Sequence, residues 1–333
     1  TFLVRSNLIV SVHSFASDPL RGLFLIMIIA YLFIVTLRLN IKSVSYFNQD
    51  TFKIMSKETF LLLNNIFFIA AALTVLVGTI YPLFSEIFYN SSVSIGAPYY
   101  NFAFNLLMAP IILLMAFAPQ IKWGEHKKKN NQTFYIIAIS IVITAIVYYL
   151  LGNIFFALSV FITMPLFIKS FLVFFKKVSK DRSFFAQWLA HLSIGLFIVA
   201  AVYTEQFDYE KNITFEKGDS NEIVLNEGAS LLLENIKDSD LSNHQKISVD
   251  LIVVEKNLKY SLSPSKNIYQ PSGQVTNEVS TVNRYFDQYY ATISMIESDK
   301  VSINLVFKPF INLLWISSIL LVFSIFLSII KRK

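Results

Sequence analysis

The sequence predicts a polytopic α-helical membrane protein of about seven transmembrane helices, with one β-rich extracytoplasmic domain inserted before the last helix. Three observations carry this reading. Of the 333 residues, 55% are hydrophobic and only 15% charged, with 32 Phe and 16 Tyr, too apolar a composition for a soluble globular chain. Runs of roughly 20 apolar residues, the length a helix needs to cross a bilayer core about 30 Å thick, recur along the chain. The one long stretch with charges of both signs falls between the last two of these runs.

The spans are predicted at Leu20 to Leu37, Thr59 to Phe84, Tyr99 to Pro119, Thr133 to Leu151, Ile154 to Phe175, Phe184 to Tyr203 and Pro309 to Ile330. Their orientation follows from where lysine and arginine gather. Arg38, Lys42, Lys53 and Lys57 lie in one connection, Lys122 and Lys127 to Lys129 in another, and Lys176, Lys177, Lys180 and Arg182 in a third, which places these three loops on the cytoplasmic side. The alternate connections, Ser85 to Pro98 and the turn at Gly152-Asn153, carry neither residue. Residues 1–19 and the long segment 204–308 are therefore expected outside, with 20–203 forming a six-helix region and 309–333 a final helix with a short basic tail, Lys331-Arg332-Lys333. Thr1 follows no charged and apolar leader, so the chain is expected to open inside a longer polypeptide or after processing.

Segment 204–308 reads as β-structure. Residues Lys246 to Glu255 and Val301 to Phe307 are rich in β-branched side chains with partial alternation, and Lys217-Gly-Asp-Ser220 and Pro271-Ser-Gly273 supply turns. A domain tethered by a helix at each end suits a docking surface or half-lid at the outer leaflet. The formal net charge of +6 is dispersed between apolar runs, which gives no nucleic-acid signal. The absence of cysteine excludes disulfides, iron–sulfur clusters, thiolate zinc sites and a cysteine nucleophile.

Histidine is the informative residue, since neutral imidazole is a common metal and haem-iron ligand. His126, in Glu125-His-Lys-Lys-Lys129, reads as a solvated loop residue, and His244, in Ser242-Asn-His-Gln-Lys246, as a surface residue before a strand. His191 sits in a largely apolar span, where an ionisable group is costly unless it serves a partner. Three readings stay open for it: an interhelical hydrogen bond, a metal or haem ligand, or a proton or ion relay. Ser193 and Gly195 nearby would admit either a planar cofactor or another helix. His13, a few residues before the first span, is either incidental or an outer ligand. His191 lies about 18 Å from the outer end of its span, so one iron does not take both histidines.

Several ordered strings resemble the CcmF family of system I cytochrome c maturation: Thr1 to Gly22 around His13, Ser56-Lys-Glu-Thr-Phe-Leu-Leu-Leu-Asn-Asn65, Gly78-Thr-Ile-Tyr-Pro82, Val93-Ser-Ile-Gly-Ala-Pro-Tyr-Tyr-Asn101, Leu189-Ala-His-Leu192 and Lys308-Pro-Phe310. The match is to the carboxy-terminal half. The resemblance implies a haem lyase component that takes haem from the chaperone CcmE and helps attach it to apocytochrome c outside the membrane. It implies a resident haem b, with His191 on the second membrane histidine, and a transferred haem at the outer surface, with His13 on the second outer histidine. Both are metal-ligating and cofactor-binding assignments, and each histidine lacks its mate here. The family's tryptophan-rich haem-presenting segment is also absent, since Trp123, Trp188 and Trp315 are scattered.

Expected partners are therefore an N-terminal CcmF half if encoded separately, CcmE, CcmH, apocytochrome c, membrane lipid and a quinol donor, in a bacterial or mitochondrial inner membrane. Arg5 and Arg21 are expected to meet haem propionates or, as the plainer reading, to anchor the chain at the membrane surface. A noncatalytic scaffold of the maturation complex and a transporter are the rival classes. For the latter, Pro110 and Pro165 would break helices, and Lys169 is expected to snorkel.

Overall fold

The computed structural model describes residues 19–44, 53–91, 93, 95–121, 123–124, 131–177, 182–216, 222–226, 229–255, 258–270, 273–297 and 300–329. His13, Arg5, His126, the turn at 217–220 and the basic tail lie outside the described residues, as does the side chain of Arg21. Among the described residues, seven helices are long and apolar enough to cross a membrane. They fall at the predicted places: α1 Pro19–Val44, α2 Lys57–Tyr89, α3 Ala97–Phe117, α4 Asn131–Leu151, α5 Ile154–Lys177, α6 Arg182–Phe207 and α7 Ile311–Ile329. Pro110 and Pro165 lie inside α3 and α5 without ending them. The chain divides into two compact units, residues 1–129 and 130–333.

In the first unit α2 begins on a cap written in its sequence. Ser56 is extended and its Oγ accepts the Thr59 N–H at 3.3 Å, while the Glu58 carboxylate accepts the Gly124 N–H at 3.1 Å and the Lys57 ammonium lies 5.1 Å over the Trp123 ring. Farther along, α2 packs on α3 at Gly78. An ideal Cβ there would meet Tyr99 Cε1 at 2.7 Å and the Tyr100 hydroxyl at 2.8 Å, so only glycine allows this approach. The Tyr99 hydroxyl donates to the Thr74 carbonyl at 3.2 Å, and the two tyrosine rings meet edge to face at 5.2 Å.

In the second unit α4 to α7 pack in sequence order around α5 and α6. The tight α4–α5 turn is a fusion of two caps. Gly152 takes φ +66° with its N–H on the Tyr148 carbonyl, and Asn153 Oδ1 accepts the Phe156 N–H at 3.0 Å. The Asn153 amide also donates to Gln206 Oε1 at 3.1 Å, tying the turn to the end of α6. Buried hydroxyls of Ser140, Ser159, Thr163, Ser193, Ser317 and Ser324 each donate to a carbonyl three or four residues back in their own helix.

Between α6 and α7 stands a two-sheet β domain. One antiparallel sheet runs β1-β10-β9-β8, with β1 Tyr209–Glu216, β8 Ser280–Arg284, β9 Asp287–Ile296 and β10 Lys300–Lys308. The other runs β2-β3-β4-β6-β7, with β2 Glu222–Asn226, β3 Ala229–Asp240, β4 His244–Glu255, β6 Ser265–Tyr269 and β7 Val275–Glu278, and β5 Leu258–Leu262 also pairs with β4. Alternate residues Val249, Leu251 and Val253 of β4 and Val301, Ile303 and Leu305 of β10 point into one core with Phe215, Leu231 and Ile293, the period-2 burial expected of packed sheets.

At the edge of this core Tyr289 is buried and hydrogen-bonds Tyr209, its hydroxyl lies 3.4 Å from Glu255 Oε2, and Arg284 pairs with Glu255 at 3.0 Å. Burial pushes both phenols above their ordinary value, with the Glu255 charge adding to it. A raised pKa contributes stability that is present below the unfolded-state value near 10 and lost as pH climbs past it. Alkaline titration of the detergent-solubilised chain, followed by tyrosinate absorbance against near-UV circular dichroism, is therefore expected to show these phenols ionising together with unfolding. Tyr289→Phe should flatten the alkaline loss, and an unchanged profile would remove Tyr289 as its source.

Hydrogen bonds and ring contacts join the domain to its helices. Thr204 Oγ1 donates to the Pro309 carbonyl at 2.7 Å, and the Phe310 N–H donates to Asp287 Oδ1 at 2.9 Å. Phe310 adopts φ +56°, and its ring meets Tyr203 edge to face at 4.8 Å and stacks on Phe286 at 6.2 Å. Asn312 in the first turn of α7 bonds back to the β8–β9 turn, its N–H on the Phe286 carbonyl at 3.0 Å and its amide on the Tyr285 carbonyl at 2.9 Å.

Candidate functional site

His191 lies on α6, about 13 Å from the Arg182 end and about 24 Å from the Phe207 end at 1.5 Å per residue. The helix runs farther than its apolar span predicted, so the histidine sits deeper below the β-domain side than the sequence suggested. Trp188, one turn earlier and buried, meets the imidazole edge to face with ring centroids 5.3 Å apart. His191 Nδ1 is buried with no hydrogen-bond partner among the described residues. An interhelical hydrogen bond through Nδ1 is thus not the role this side chain performs within the described chain.

The small residues nearby serve helix packing. A Cβ on Gly195 would come within 3.1 Å of the Phe167 ring and 3.4 Å of Leu166, so α5 occupies that notch, and Ser193 bonds the Leu189 carbonyl. The Gly195 contact fixes the antiparallel register of α5 against α6 and brings residues near 170 level with His191. Lys169 and Ser170 lie about 12 Å from the Lys177 end of α5. Lys169, Ser170 and His191 therefore form a polar layer at one depth across two helices, and the Ser170 hydroxyl, like His191 Nδ1, is buried without a partner among the described residues. The expectation that Lys169 snorkels is corrected: the residue is 2% exposed, held in the helix packing instead of reaching the surface. A lysine inside the apolar run Phe161 to Phe175 was visible in the sequence, but its burial depends on neighbours the local pattern does not name.

The remaining candidates separate. His13 and His126 are outside the described residues. His244 is in β4 with Nδ1 2.7 Å from Asn243 Oδ1 and its ring tilted against Tyr269 at 5.0 Å, consistent with the surface reading. No group of three or more histidine and acidic side chains able to hold a metal ion occurs among the described residues. For a haem, the fit is one-sided: one imidazole at membrane depth with Nδ1 buried and unpartnered among the described residues, and no second described histidine at that level.

Four of the strings noticed in the sequence prove architectural. Ser56 to Thr59 caps α2, Gly78 receives Tyr99 and Tyr100 from the Val93 to Asn101 string, and Lys308-Pro-Phe310 forms the joint above α7. Among the described residues of these strings, only His191 places a buried polar atom without a hydrogen-bond partner.

No family model matches the chain. Among curated proteins, it is 29% identical over 358 residues to the cytochrome c-type biogenesis protein CcmF of Haemophilus influenzae, covering 100% of this chain and 54% of that one. It is 27% identical over 337 residues to CcmF of Escherichia coli, covering 96% and 51%, and 27% identical over 355 residues to the cytochrome c-type biogenesis protein CycK of Bradyrhizobium diazoefficiens, covering 100% and 53%. The chain thus spans about half the length of the curated relatives it matches. A solved structure titled cytochrome c heme lyase CcmF superimposes with a TM-score of 0.70 at 17% identity, covering 84% of this chain and 46% of that one, which establishes the shared fold.

Proposed function

Since this chain is a relative of CcmF, corresponding to its carboxy-terminal half, we propose that it is the carboxy-terminal portion of a haem lyase that receives haem from CcmE and helps attach it to apocytochrome c. The observation that carries the proposal is His191, an imidazole at membrane depth with Nδ1 buried and unpartnered, in a chain similar to CcmF throughout. His191 would be one of the residues that hold a resident haem b, which would supply electron transfer there. Haem iron held between two imidazoles is low-spin and suited to electron transfer. The edge contact from Trp188 and the packing of α5 at Gly195 fix the orientation of the helix face that presents His191, and the surrounding apolar spans exclude water from it. His13 is one ligand to the transferred haem at the outer surface, and Arg5 and Arg21 anchor that surface segment.

The second membrane ligand comes from an N-terminal CcmF half, on the same polypeptide or a separate one. CcmH and the apocytochrome meet the β domain on the extracytoplasmic side of an inner membrane, and a quinol supplies electrons. The test is a reduced-minus-oxidised optical spectrum of the purified chain, alone and with an N-terminal CcmF half, as wild type, His191→Ala and His244→Ala. A b-type signal is expected in the combined wild type and the His244→Ala form and is lost in His191→Ala. Its persistence in His191→Ala would overturn the assignment. Cytochrome c maturation that survives His191→Ala would favour the scaffold reading, which the hydrogen-bonded joint between β domain and helices also suits.

A further inference from the structure

The β8–β9 turn, Arg284-Tyr-Phe-Asp287, breaks a local rule without repaying it inside the chain. Arg284 pairs with Asp287 across the hairpin, leaving Tyr285 and Phe286 as its two turn residues. Tyr285 takes φ +50° and Phe286 does not take a positive φ. A positive φ at the first of two turn residues belongs to glycine by preference, because a Cβ is strained there. A bulky aromatic sits in that place, and 82% of it is exposed; its neighbour Phe286 is 48% exposed on one side while its ring stacks on Phe310 on the other. The turn itself is held firmly, by the Asn312 N–H on the Phe286 carbonyl and the Asn312 amide on the Tyr285 carbonyl. These two bonds set the aromatic pair at the level of the first turn of α7. Below it the outward face of α7 continues with Trp315, 66% exposed, then Ile316 and Ile319.

We propose that the Tyr285–Phe286 turn is a membrane-interface anchor of the β domain, with the two rings seated at the headgroup–acyl boundary of the leaflet on the β-domain side. Three features select lipid as the occupant: the turn continues the exposed apolar face of a membrane-spanning helix, its depth is fixed by bonds to that helix, and its side chains are aromatic. A tyrosine presents an apolar ring and a polar hydroxyl, the combination enriched where bilayer meets water. The strained backbone is the local cost of aiming that ring outward. Together with the Thr204–Pro309 and Asp287–Phe310 bonds, the anchor fixes how the β domain stands on the membrane.

The cysteine-free chain makes the test direct. Tyr285→Cys, Phe286→Cys, Leu241→Cys and Ile319→Cys would each carry a nitroxide in the full chain, reconstituted into phosphatidylcholine–phosphatidylglycerol vesicles, with accessibility read against oxygen and a water-soluble nickel chelate. Leu241 is exposed in the distal β3–β4 connection and Ile319 is exposed at span depth, so they report water and lipid. Labels at 285 and 286 should give an oxygen-to-nickel ratio several-fold above that at 241, and below that at 319. A ratio equal to that at 241 at both sites overturns the anchor, and exclusion of both reagents overturns it in favour of a protein contact. Each label leaves the other aromatic residue in place, so misfolding of one variant does not remove the test.

Discussion

Replacing Gly78 by leucine should abolish the docking of α3 on α2. Even the first carbon of the new side chain would lie 2.7 Å from Tyr99 Cε1, 2.8 Å from the Tyr100 hydroxyl and 2.9 Å from Tyr100 Cε1. The rings have little freedom to retreat, because they brace each other edge to face and the Tyr99 hydroxyl is committed to the Thr74 carbonyl. Overpacking by one or two methyl groups typically costs about 1–3 kcal/mol. Alanine is the milder test, since its helix propensity returns about 1 kcal/mol relative to glycine. Leucine has no such compensation for its volume. The expected result is loss of the thermal unfolding transition for Gly78→Leu and a lowered midpoint for Gly78→Ala, read by near-UV circular dichroism in detergent. Combining Gly78→Ala with Tyr100→Ala should cost less than the sum of the two. Strict additivity would mean the residues do not touch.

Asp287→Ala should loosen the joint between the β domain and α7. The Asp287 carboxylate accepts the Phe310 N–H at 2.9 Å and lies 3.7 Å from Arg284. Phe310 holds a left-handed backbone that phenylalanine seldom adopts, so its conformation depends on that acceptor and on the Tyr203 and Phe286 rings. Leaving a partly buried N–H without a partner costs about 2 kcal/mol, equivalent to roughly 30-fold in the opening equilibrium. Limited proteolysis between Lys308 and Ile311 should accelerate accordingly. Asp287→Asn retains an oxygen for the N–H and should recover most of the protection. Equal cleavage of Asp287→Ala and wild type would show that the aromatic contacts alone hold the joint.

Much of this architecture was legible in composition and spacing. Apolar runs marked all seven helices because a lipid-facing helix needs apolar length whatever its partners are. The strands Lys246 to Glu255 and Val301 to Phe307 were legible because one face of each lies against the core and alternation records it. Helix ends were less legible: α2 runs five residues past Phe84 to Tyr89, and α6 four past Tyr203 to Phe207. Polar residues in those last turns find helix partners, as Gln206 does with Asn153, which a hydrophobic pattern cannot register.

The candidate site was legible by residue type only. His191 stood out as an ionisable group in an apolar run, but its buried, unpartnered Nδ1 and its level alignment with Lys169 and Ser170 depend on helix packing such as the crossing at Gly195. Long-range contacts of that kind leave no local periodicity. The same holds for Gly78, whose partners lie about twenty residues away, and for Tyr285 and Phe310, whose backbones are strained only because the joint demands it.

The buried hydroxyls of α4 to α7 carry a different lesson. Because Ser140, Ser159, Thr163, Ser193, Ser317 and Ser324 spend their protons on their own helices, they give neighbouring helices no polar instruction about where to sit. What they transmit is size. The bundle should tolerate alanine or glycine at these places and resist leucine, so its blueprint is written in volumes, a script in which many spellings build the same object.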